Sequence, residues 1–275
     1  MRLGAPIFGD ISEPRVWAGR VRSKGYRAAY CPVDAKASDD VIREYRKAAL
    51  EADIVIAEVG AWSNPLNSDD SVRLSAIEHN KEQLALADKI GARCCVNISG
   101  SRGQQWDGPY PLNLTDETFD LIVETVREIL DAIKPSQTSY TLETMPWAYP
   151  DSPDSYLKLI KAVDRPGFAV HLDPVNIVSS PRIYYDNGAM IRECFAKLGP
   201  WIKSCHAKDI LLSPRLTVHL DEVRPGQGNL NYDVFLREMS CIDPDTPIML
   251  EHRTTEEDYD LAAEYIREVE SNLHL

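Results

Sequence analysis

The sequence predicts an α/β fold of the (β/α)8, or TIM-barrel, class, formed as a single domain by residues 1–275. Short apolar runs alternate with segments of helical periodicity along the whole chain, and the runs are almost continuously apolar, which is typical of parallel strands covered by helices. There are eight such runs, the number that closes a barrel. An open doubly wound sheet usually carries a glycine-rich phosphate-binding turn after its first strand, and the segment LGAPIFGD does not supply one.

Strands and helices alternate in order along the chain. The predicted strands are Leu3–Phe8, Tyr26–Pro32, Ile54–Glu58, Arg93–Ile98, Tyr140–Glu143, Phe168–Asp173, Ile202–His206 and Pro247–Glu251. The predicted helices are Glu13–Ser23, Asp39–Glu51, Asp70–Ile90, Asp116–Ile133, Ser152–Ala162, Asn187–Leu198, Tyr232–Met239 and Glu256–Asn272. The starts of three helices are supported by residues that can cap the free amides of the first turn, namely Ser38 or Asp39, Thr115, and Thr254 or Thr255.

Three connections are longer than the others: Gly100–Leu114, Pro174–Asp186 and Lys208–Asn231. Long loops inside a compact domain usually have a function. All three follow predicted strands, and barrels of this class build their active sites on the face where the strands end. We therefore expect the functional site on that face.

The charge and the cysteine spacing exclude several classes of protein. With 43 Asp and Glu against 30 Lys and Arg, the formal charge is −13, and no cationic run is present to follow a phosphate backbone, so we expect no nucleic-acid partner. No apolar stretch approaches the ~20 residues of a membrane span, and the first residues lack a secretory-signal pattern, so we expect a cytoplasmic protein that does not bind membranes. The six cysteines lack CxxC spacing, which predicts reduced packing residues.

The last four predicted strands each end in a side chain that can bind a divalent cation: Glu143, Asp173, His206 and Glu251. Any one of them alone would more often be a helix cap, an ion-pair partner or a buried histidine. Four in succession are different, because the carboxyl ends of adjacent barrel strands meet at one place. Three carboxylates and an imidazole suit hard and borderline cations, so the sequence predicts one divalent metal ion, with Mn²⁺ as the first candidate and Mg²⁺, Co²⁺ or Zn²⁺ as alternatives.

These four residues carry a resemblance to a known family. The chain resembles the sugar phosphate isomerase/epimerase superfamily, the xylose isomerase-like TIM barrels that include ketose 3-epimerases, inosose dehydratases and hydroxypyruvate isomerases. In that family the fifth to eighth strands supply Glu, Asp, His and Glu to one divalent metal ion. The HAKD run, His206–Asp209, and the proline-glycine turn in Arg224–Leu236 are also similar. Ketose 3-epimerases have a histidine and an arginine in contact with substrate where this chain has Asn176 and Leu212, which points away from a free ketohexose.

The predicted ligand set indicates acid–base chemistry next to a carbonyl group. A metal ion that chelates the carbonyl and a neighbouring hydroxyl oxygen stabilises the enediolate formed when a proton leaves the adjacent carbon. Glu143 and Glu251 are the candidate catalytic base and acid. Return of the proton would make the protein a sugar isomerase or epimerase. The alternative is a lyase or dehydratase that expels water or an aglycone from a keto-sugar or keto-glycoside, since similar barrels serve in enzymes that cleave C-glycosides.

Further side chains near the strand ends are candidates for contact with substrate. The set comprises His171, Asn176, Lys208, Trp106, Trp147 and Arg253. His171 is two residues from Asp173 and therefore shares its strand face. The two tryptophans, together with Trp62 and Tyr110, are expected to form an apolar wall against the C–H surface of a sugar.

Three other polar residues near the strand ends have predicted positions. Ser204 shares a face with His206 and is expected to fill the barrel. Glu58 ends the third strand and is a further polar contact. His252 follows Glu251 directly and is expected to face outward toward the helices.

The expected partner is a small sugar or sugar derivative, and the sequence leaves open a homo-oligomer or a complex with a partner subunit. Two other classes of protein fit less well. A metal-dependent repair endonuclease would need a histidine-rich cluster of several zinc ions and a basic face, whereas this chain has six histidines and is acidic. A sugar-binding subunit without catalysis would not need two carboxylates beside the metal.

Overall fold

Eight parallel strands close into a barrel in the computed structural model, which describes residues 1–275. The last barrel strand pairs with the first, so the sheet has no free edge. The barrel strands are β1 (Arg2–Gly4), β2 (Ala28–Tyr30), β3 (Val55–Gly60), β4 (Cys94–Asn97), β5 (Tyr140–Glu143), β6 (Phe168–Leu172), β7 (Ile202–Ala207) and β10 (Pro247–Leu250). The predicted fold class is confirmed.

Helices connect the barrel strands and pack against their outer faces. They are α1 (Pro14–Ser23), α2 (Asp39–Glu51), α3 (Asp70–Ile90), α4 (Asp116–Ile133), α5 (Pro153–Val163), α6 (Pro174–Ile177), α7 (Pro181–Tyr185), α8 (Asn187–Leu198), α9 (Tyr232–Ser240) and α10 (Glu256–Leu273). Short 3-10 helices lie at Pro111–Leu114 and Gly199–Trp201. Among the predicted caps, the side chains of Ser38, Thr115 and Thr255 accept hydrogen bonds from amides in the first turns of α2, α4 and α10.

The first two strands are shorter than the sequence predicts. The predicted run Leu3–Phe8 pairs only as far as Gly4, and the run Tyr26–Pro32 pairs only over β2. Pro6 and Pro32 have no amide hydrogen to donate, so neither can continue a ladder of hydrogen bonds. Both prolines line a cavity at the carboxyl ends of the strands.

All three long connections contain regular structure that was not predicted from the sequence, and in Gly100–Leu114 it is the 3-10 helix at Pro111–Leu114. The segment Pro174–Asp186 contains α6 and α7. The segment Lys208–Asn231 contains an antiparallel hairpin of β8 (Asp209–Ser213) and β9 (His219–Val223). Leu212 of this hairpin packs against the core while its neighbour Leu211 is exposed, which is the two-residue alternation of a strand.

A continuous cluster of buried apolar side chains fills the space between the barrel and the helices. Inside the barrel the layer next to β1 is narrow, since a Cβ atom on Gly4 would lie 2.5 Å from the carbonyl oxygen of Ala28 and 2.7 Å from the sulfur of Met249. All six cysteines carry free thiols. None of the helices combines the length and the apolar character that a membrane crossing requires.

Candidate metal centre and substrate cavity

The four predicted metal ligands come together at the carboxyl ends of β5, β6, β7 and β10. Glu143, Asp173, His206 and Glu251 each offer one ligand atom, and these atoms all lie within 4.8 Å of one another. The Nδ1 atom of His206 lies 2.9 Å from Glu251 Oε1, 3.2 Å from Glu143 Oε1 and 3.8 Å from Asp173 Oδ2. These side chains, named below as the ligand cluster, form a group that can hold a metal ion.

Lys208 belongs to the same cluster of charges. Its Nζ atom lies 2.7 Å from Asp173 Oδ2 and 3.5 Å from Glu143 Oε1, and it also contacts Glu251 Oε1. The hydroxyl group of Tyr232 donates a 2.8 Å hydrogen bond to the carbonyl oxygen of Lys208, which fixes the backbone. A single buried ammonium group therefore faces three carboxylates.

Two carboxylate oxygens of the ligand cluster indicate that the cluster faces a cation rather than hydrogen-bond donors. Asp173 Oδ2 and Glu251 Oε1 are buried and accept no hydrogen bond. They nevertheless lie at ion-pair distance from Lys208, so their partner is positive charge and not an aligned N–H group. Three carboxylate oxygens and one imidazole nitrogen are a donor set that Mn²⁺, Mg²⁺ and related cations accept. The residues present therefore fit a divalent cation.

Local backbone structure aims Asp173 at the centre of the cluster. Its Oδ1 atom caps α6 by accepting hydrogen bonds from the amides of Val175, at 2.9 Å, and Asn176, at 3.3 Å, which leaves Oδ2 facing Lys208. The Asn176 side chain donates to Glu143 Oε1 at 3.1 Å. The start of α6 thus positions two of the carboxylates.

Glu58, near the carboxyl end of β3, contacts the ring nitrogen of His206 that faces away from the ligand carboxylates. Its Oε1 atom lies 3.2 Å from His206 Nε2, and its Oε2 atom lies 2.9 Å from His171 Nε2 and accepts a 3.0 Å hydrogen bond from Ser204. A carboxylate at Nε2 favours the tautomer that carries its proton there, which leaves the Nδ1 lone pair free for a metal. Ser204 fills the barrel, as predicted, and Glu58 acts on the imidazole ring.

The charges of the cluster stabilise one another. Burial by itself would lower the pKa values of His206 and Lys208, but the surrounding carboxylates raise both well above their ordinary values. Burial would likewise raise the pKa values of the acids. For Glu251 the nearby His206 and Lys208 outweigh burial and lower the pKa to about 2, and the same cations lower the pKa of Asp173. Glu251 and Asp173 are therefore ionised at neutral pH.

A cavity of about 910 Å³ opens over the ligand cluster at the carboxyl ends of the strands. Only two ligand side chains border it, Glu143 with 7% and Glu251 with 13% of its side chain exposed, whereas Asp173 and His206 have none. The cavity wall also includes Trp62, as predicted, but not Tyr110. The two glutamates are thus the ligand side chains that a molecule in the cavity can touch.

A family model described as xylose isomerase-like TIM barrel matches residues 20–269, which is nearly the whole chain. The chain belongs to this family. The match confirms the resemblance that the strand-end residues carry in the sequence. No curated protein sequence matches the chain.

Solved structures of several enzymes share this xylose isomerase-like barrel. D-psicose 3-epimerase from Clostridium cellulolyticum H10, solved with D-tagatose, is 17% identical, with a TM-score of 0.68 and 99% of each chain covered. The probable 3-DHS dehydratase of petrobactin synthesis from Bacillus anthracis is 18% identical, with a TM-score of 0.71 and coverage of 97% of this chain and 98% of that one. Endonuclease IV from Thermus thermophilus is 13% identical, with a TM-score of 0.73 and coverage of 99% of this chain and 100% of that one. Likeness at these identities shows the shared fold.

The predicted substrate contacts of this xylose isomerase-like barrel divide into two groups. Asn176, Trp106 and Trp147 line the cavity, and His171, Lys208 and Arg253 do not. His171 is wholly buried against Glu58, and Lys208 is buried within the ligand cluster. The guanidinium group of Arg253 contacts Glu222. These three side chains are each paired with a carboxylate, and their contact with substrate stays a prediction.

His252 and Glu222 both line the cavity, and neither was predicted to do so. His252 lines the cavity, contrary to the expected outward position, and its Nδ1 atom lies 2.9 Å from Glu222 Oε2. Because β10 ends at Leu250, strand alternation no longer applies, and a φ of 56° turns the chain at His252. Glu222 reaches the cavity on β9, and no sequence signal indicated it, because the segment HLDEV does not alternate apolar and polar residues.

Proposed function

We propose that this chain is a divalent-metal-dependent sugar isomerase or epimerase that removes a proton next to a carbonyl group. One observation carries the proposal: Glu143 and Glu251 alone among the ligand side chains border the cavity. The strand order β10-β7-β6-β5 sets them at the two ends of an arc, with Asp173 and His206 buried between them. Two carboxylates on either side of a substrate are the arrangement that proton transfer at one carbon needs.

The ligand cluster of Glu143, Asp173, His206 and Glu251 would hold the cation, with Mn²⁺ as the first candidate and Mg²⁺, Co²⁺ or Zn²⁺ as alternatives. When bound, such a cation supplies electrostatic stabilisation to the negative charge that develops on the carbonyl and hydroxyl oxygens of the substrate. Asp173 and His206 anchor it without touching the cavity. The fold family, and the structural likeness to an epimerase and a probable dehydratase, support an enzyme of this kind.

Glu143 and Glu251 are the acid–base pair in this proposal, since both border the cavity in which the reacting carbon would lie. The ionised carboxylate of one takes a proton from the carbon next to the carbonyl group. The other glutamate, protonated from solvent, delivers a proton to the opposite face of that carbon and so gives the epimer, and the first glutamate then returns its proton to solvent. Asn176 donates a 3.1 Å hydrogen bond to Glu143 Oε1 and so fixes the orientation of this carboxylate.

A lyase or dehydratase that acts on a keto-sugar or keto-glycoside, including cleavage of a C-glycoside, is the second candidate. Leu212 favours it, because its position is where ketose 3-epimerases have an arginine in contact with substrate, and here it lies on the hairpin and packs against the core. After the same proton abstraction, water or an aglycone would leave from the neighbouring carbon to which it is attached. The first steps of the two reactions are shared.

Proton NMR in D2O tests the proposal directly. The Mg²⁺-loaded protein is incubated with ketoses, inososes and 3-keto-glycosides, and deuterium is expected at one carbon of the recovered sugar or of its epimer. Release of water or an aglycone would instead identify the lyase. Absence of exchange with every substrate, in a protein that also binds no metal, would refute both. Glu143→Gln and Glu251→Gln are expected to reduce the rate about 100-fold or more.

A matched control separates loss of chemistry from loss of fold. Glu268 is exposed on α10, away from the cavity, so Glu268→Gln removes the same charge without touching the site. Its exchange rate is expected to equal that of the parent. Circular dichroism of the two site variants checks that they fold, and an active Glu251→Gln variant would remove Glu251 from the proposed role.

A further inference from the structure

We infer that the cavity takes an uncharged sugar derivative bearing a flat apolar group, of which an aryl glycoside is the simplest example. The apolar group would bind the tryptophan wall, defined here as Trp62, Trp106 and Trp147, while the sugar lies over Glu143 and Glu251. The placement of the sugar over Glu143 and Glu251 rests on the proposed function. The flat apolar group and the lack of charge are inferred from the size, the aromatic surface and the charge of the cavity.

The cavity is larger than a single sugar requires. Its volume of about 910 Å³ lies near the upper end of the ~300–1,000 Å³ range in which proteins enclose drug-sized ligands. A lone hexose would fill only part of this volume. A sugar joined to a second ring system matches the volume better.

The tryptophan wall leaves a large aromatic surface open. Trp62 is 43% exposed, Trp106 39% and Trp147 38%, although tryptophan ordinarily buries most of its surface. They follow three different strands, β3, β4 and β5, and all three line the one cavity. The indole nitrogen of Trp147 donates a 2.8 Å hydrogen bond to the carbonyl oxygen of Asp107, so this ring is held in place. Exposed apolar patches of this kind mark binding surfaces, and flat rings stack on them.

The charge of the cavity wall opposes anionic substrates. No lysine or arginine lines it, whereas Glu58, Asp107, Glu143, Glu222 and Glu251 do, with His252 as the one basic side chain. The nearest other cations are engaged, since Lys208 is 1% exposed within the ligand cluster and Arg253 contacts Glu222. Apart from His252, which pairs with Glu222, and the cation that the ligand cluster would hold, a phosphate or carboxylate in this cavity would meet only carboxylates. The wall therefore favours a neutral substrate.

Isothermal titration calorimetry with three probes tests the inference on the Mg²⁺-loaded protein. The probes are phenyl β-D-glucopyranoside, methyl β-D-glucopyranoside and glucose 6-phosphate. We expect the phenyl glucoside to bind about tenfold more tightly than the methyl glucoside, because its ring buries apolar area on the wall. We expect glucose 6-phosphate to bind more weakly than either.

Substitutions test which residues cause the tighter binding of the phenyl glucoside than of the methyl glucoside. Trp62→Ala and Trp106→Ala should reduce it to about threefold or less, whereas Glu143→Gln should keep it. Tyr185 is a matched control, since it is 74% exposed outside the cavity wall, and Tyr185→Ala should leave the preference unchanged. Equal affinity for the two glucosides, or a preference that survives both tryptophan variants, would overturn the inference. Tighter binding of glucose 6-phosphate would overturn its neutral-substrate part.

The outcomes also separate this inference from the proposed function. A protein that exchanges the proton of keto-sugars in D2O but shows no preference for the phenyl group keeps the proposed function and loses the inference. A protein that prefers the phenyl group through Trp62 and Trp106 but exchanges no proton loses the proposed function, and only the apolar binding site stands.

Discussion

The mouth of the barrel has two halves that are built differently. The polar half, at β5, β6, β7 and β10, presents the ligand cluster from the strand ends, and Asp173 and His206 there have no exposed surface. The apolar half presents side chains such as Pro6, Trp62, Trp106 and Trp147 from the connections that follow β1 to β5. Strand ends are fixed by the barrel, whereas loops can vary without disturbing it. The candidate metal centre and the tryptophan wall are thus carried by different structural elements.

The largest expected effect concerns the polar half. Lys208→Met removes the buried ammonium group that faces three carboxylates, and we expect the free energy of unfolding to fall by about 3–5 kcal/mol in EDTA, because the charges left behind are uncompensated. Saturating Mg²⁺ should reduce this loss, since the cation takes over part of the compensation. Urea unfolding at neutral pH with and without Mg²⁺ measures both quantities.

Lys161 supplies the control for this variant. It is exposed on α5, so Lys161→Met should change stability by less than about 0.5 kcal/mol in either buffer. An equal loss for Lys208→Met with and without Mg²⁺ would show that Lys208 supports the fold independently of the ligand cluster. In that case the stability of the polar half would not depend on positive charge at the ligand cluster, and this difference between the polar half and the apolar half would be wrong.

A smaller effect is expected where the two halves meet. Glu58 comes from β3 but holds His206 at Nε2, so Glu58→Ala should weaken Mn²⁺ binding about 10- to 100-fold by releasing the imidazole ring. Glu58→Gln should lose less, because its amide oxygen can still accept one N–H group. Titration of Mn²⁺ followed by electron paramagnetic resonance measures the affinity, with Glu268→Ala as control. Unchanged Mn²⁺ affinity in a destabilised Glu58→Ala protein would leave Glu58 a purely structural role.

The polar half could be predicted from the sequence for a physical reason. Each ligand ends an apolar run of strand length, and closure of the barrel brings the ends of adjacent strands together, so Glu143 and Glu251 meet although they are far apart in the chain. The pairing of Lys208 could not be predicted in the same way. Strand alternation assigns a residue to a face but does not say which groups a long flexible side chain reaches.

The apolar half and the hairpin were less accessible to sequence reasoning. The tryptophans could be named because aromatic residues in long loops are rare, but loop geometry decides that Trp62 lines the cavity while Tyr110 does not. His252 was assigned the wrong direction, since the period-two rule ends with β10 and the chain turns at that residue. Glu222 lies on β9, whose short segment HLDEV shows no apolar–polar alternation and lay inside a segment treated as a loop.

The smallest expected effect refines the description of the apolar half. Trp147→Phe keeps an aromatic ring but removes the N–H group that donates to the carbonyl oxygen of Asp107, a hydrogen bond of about 1 kcal/mol. The ring then loses its fixed orientation, so we expect phenyl β-D-glucopyranoside to bind about fivefold more weakly, with the affinity for the methyl glucoside changed less than about twofold. Trp201→Phe, outside the cavity wall, is the control and should change neither. If Trp147→Phe weakens the binding of both glucosides equally, Trp147 contacts the sugar itself. The sugar-binding region would then extend from the ligand cluster as far as Trp147, and the apolar half would begin beyond that residue.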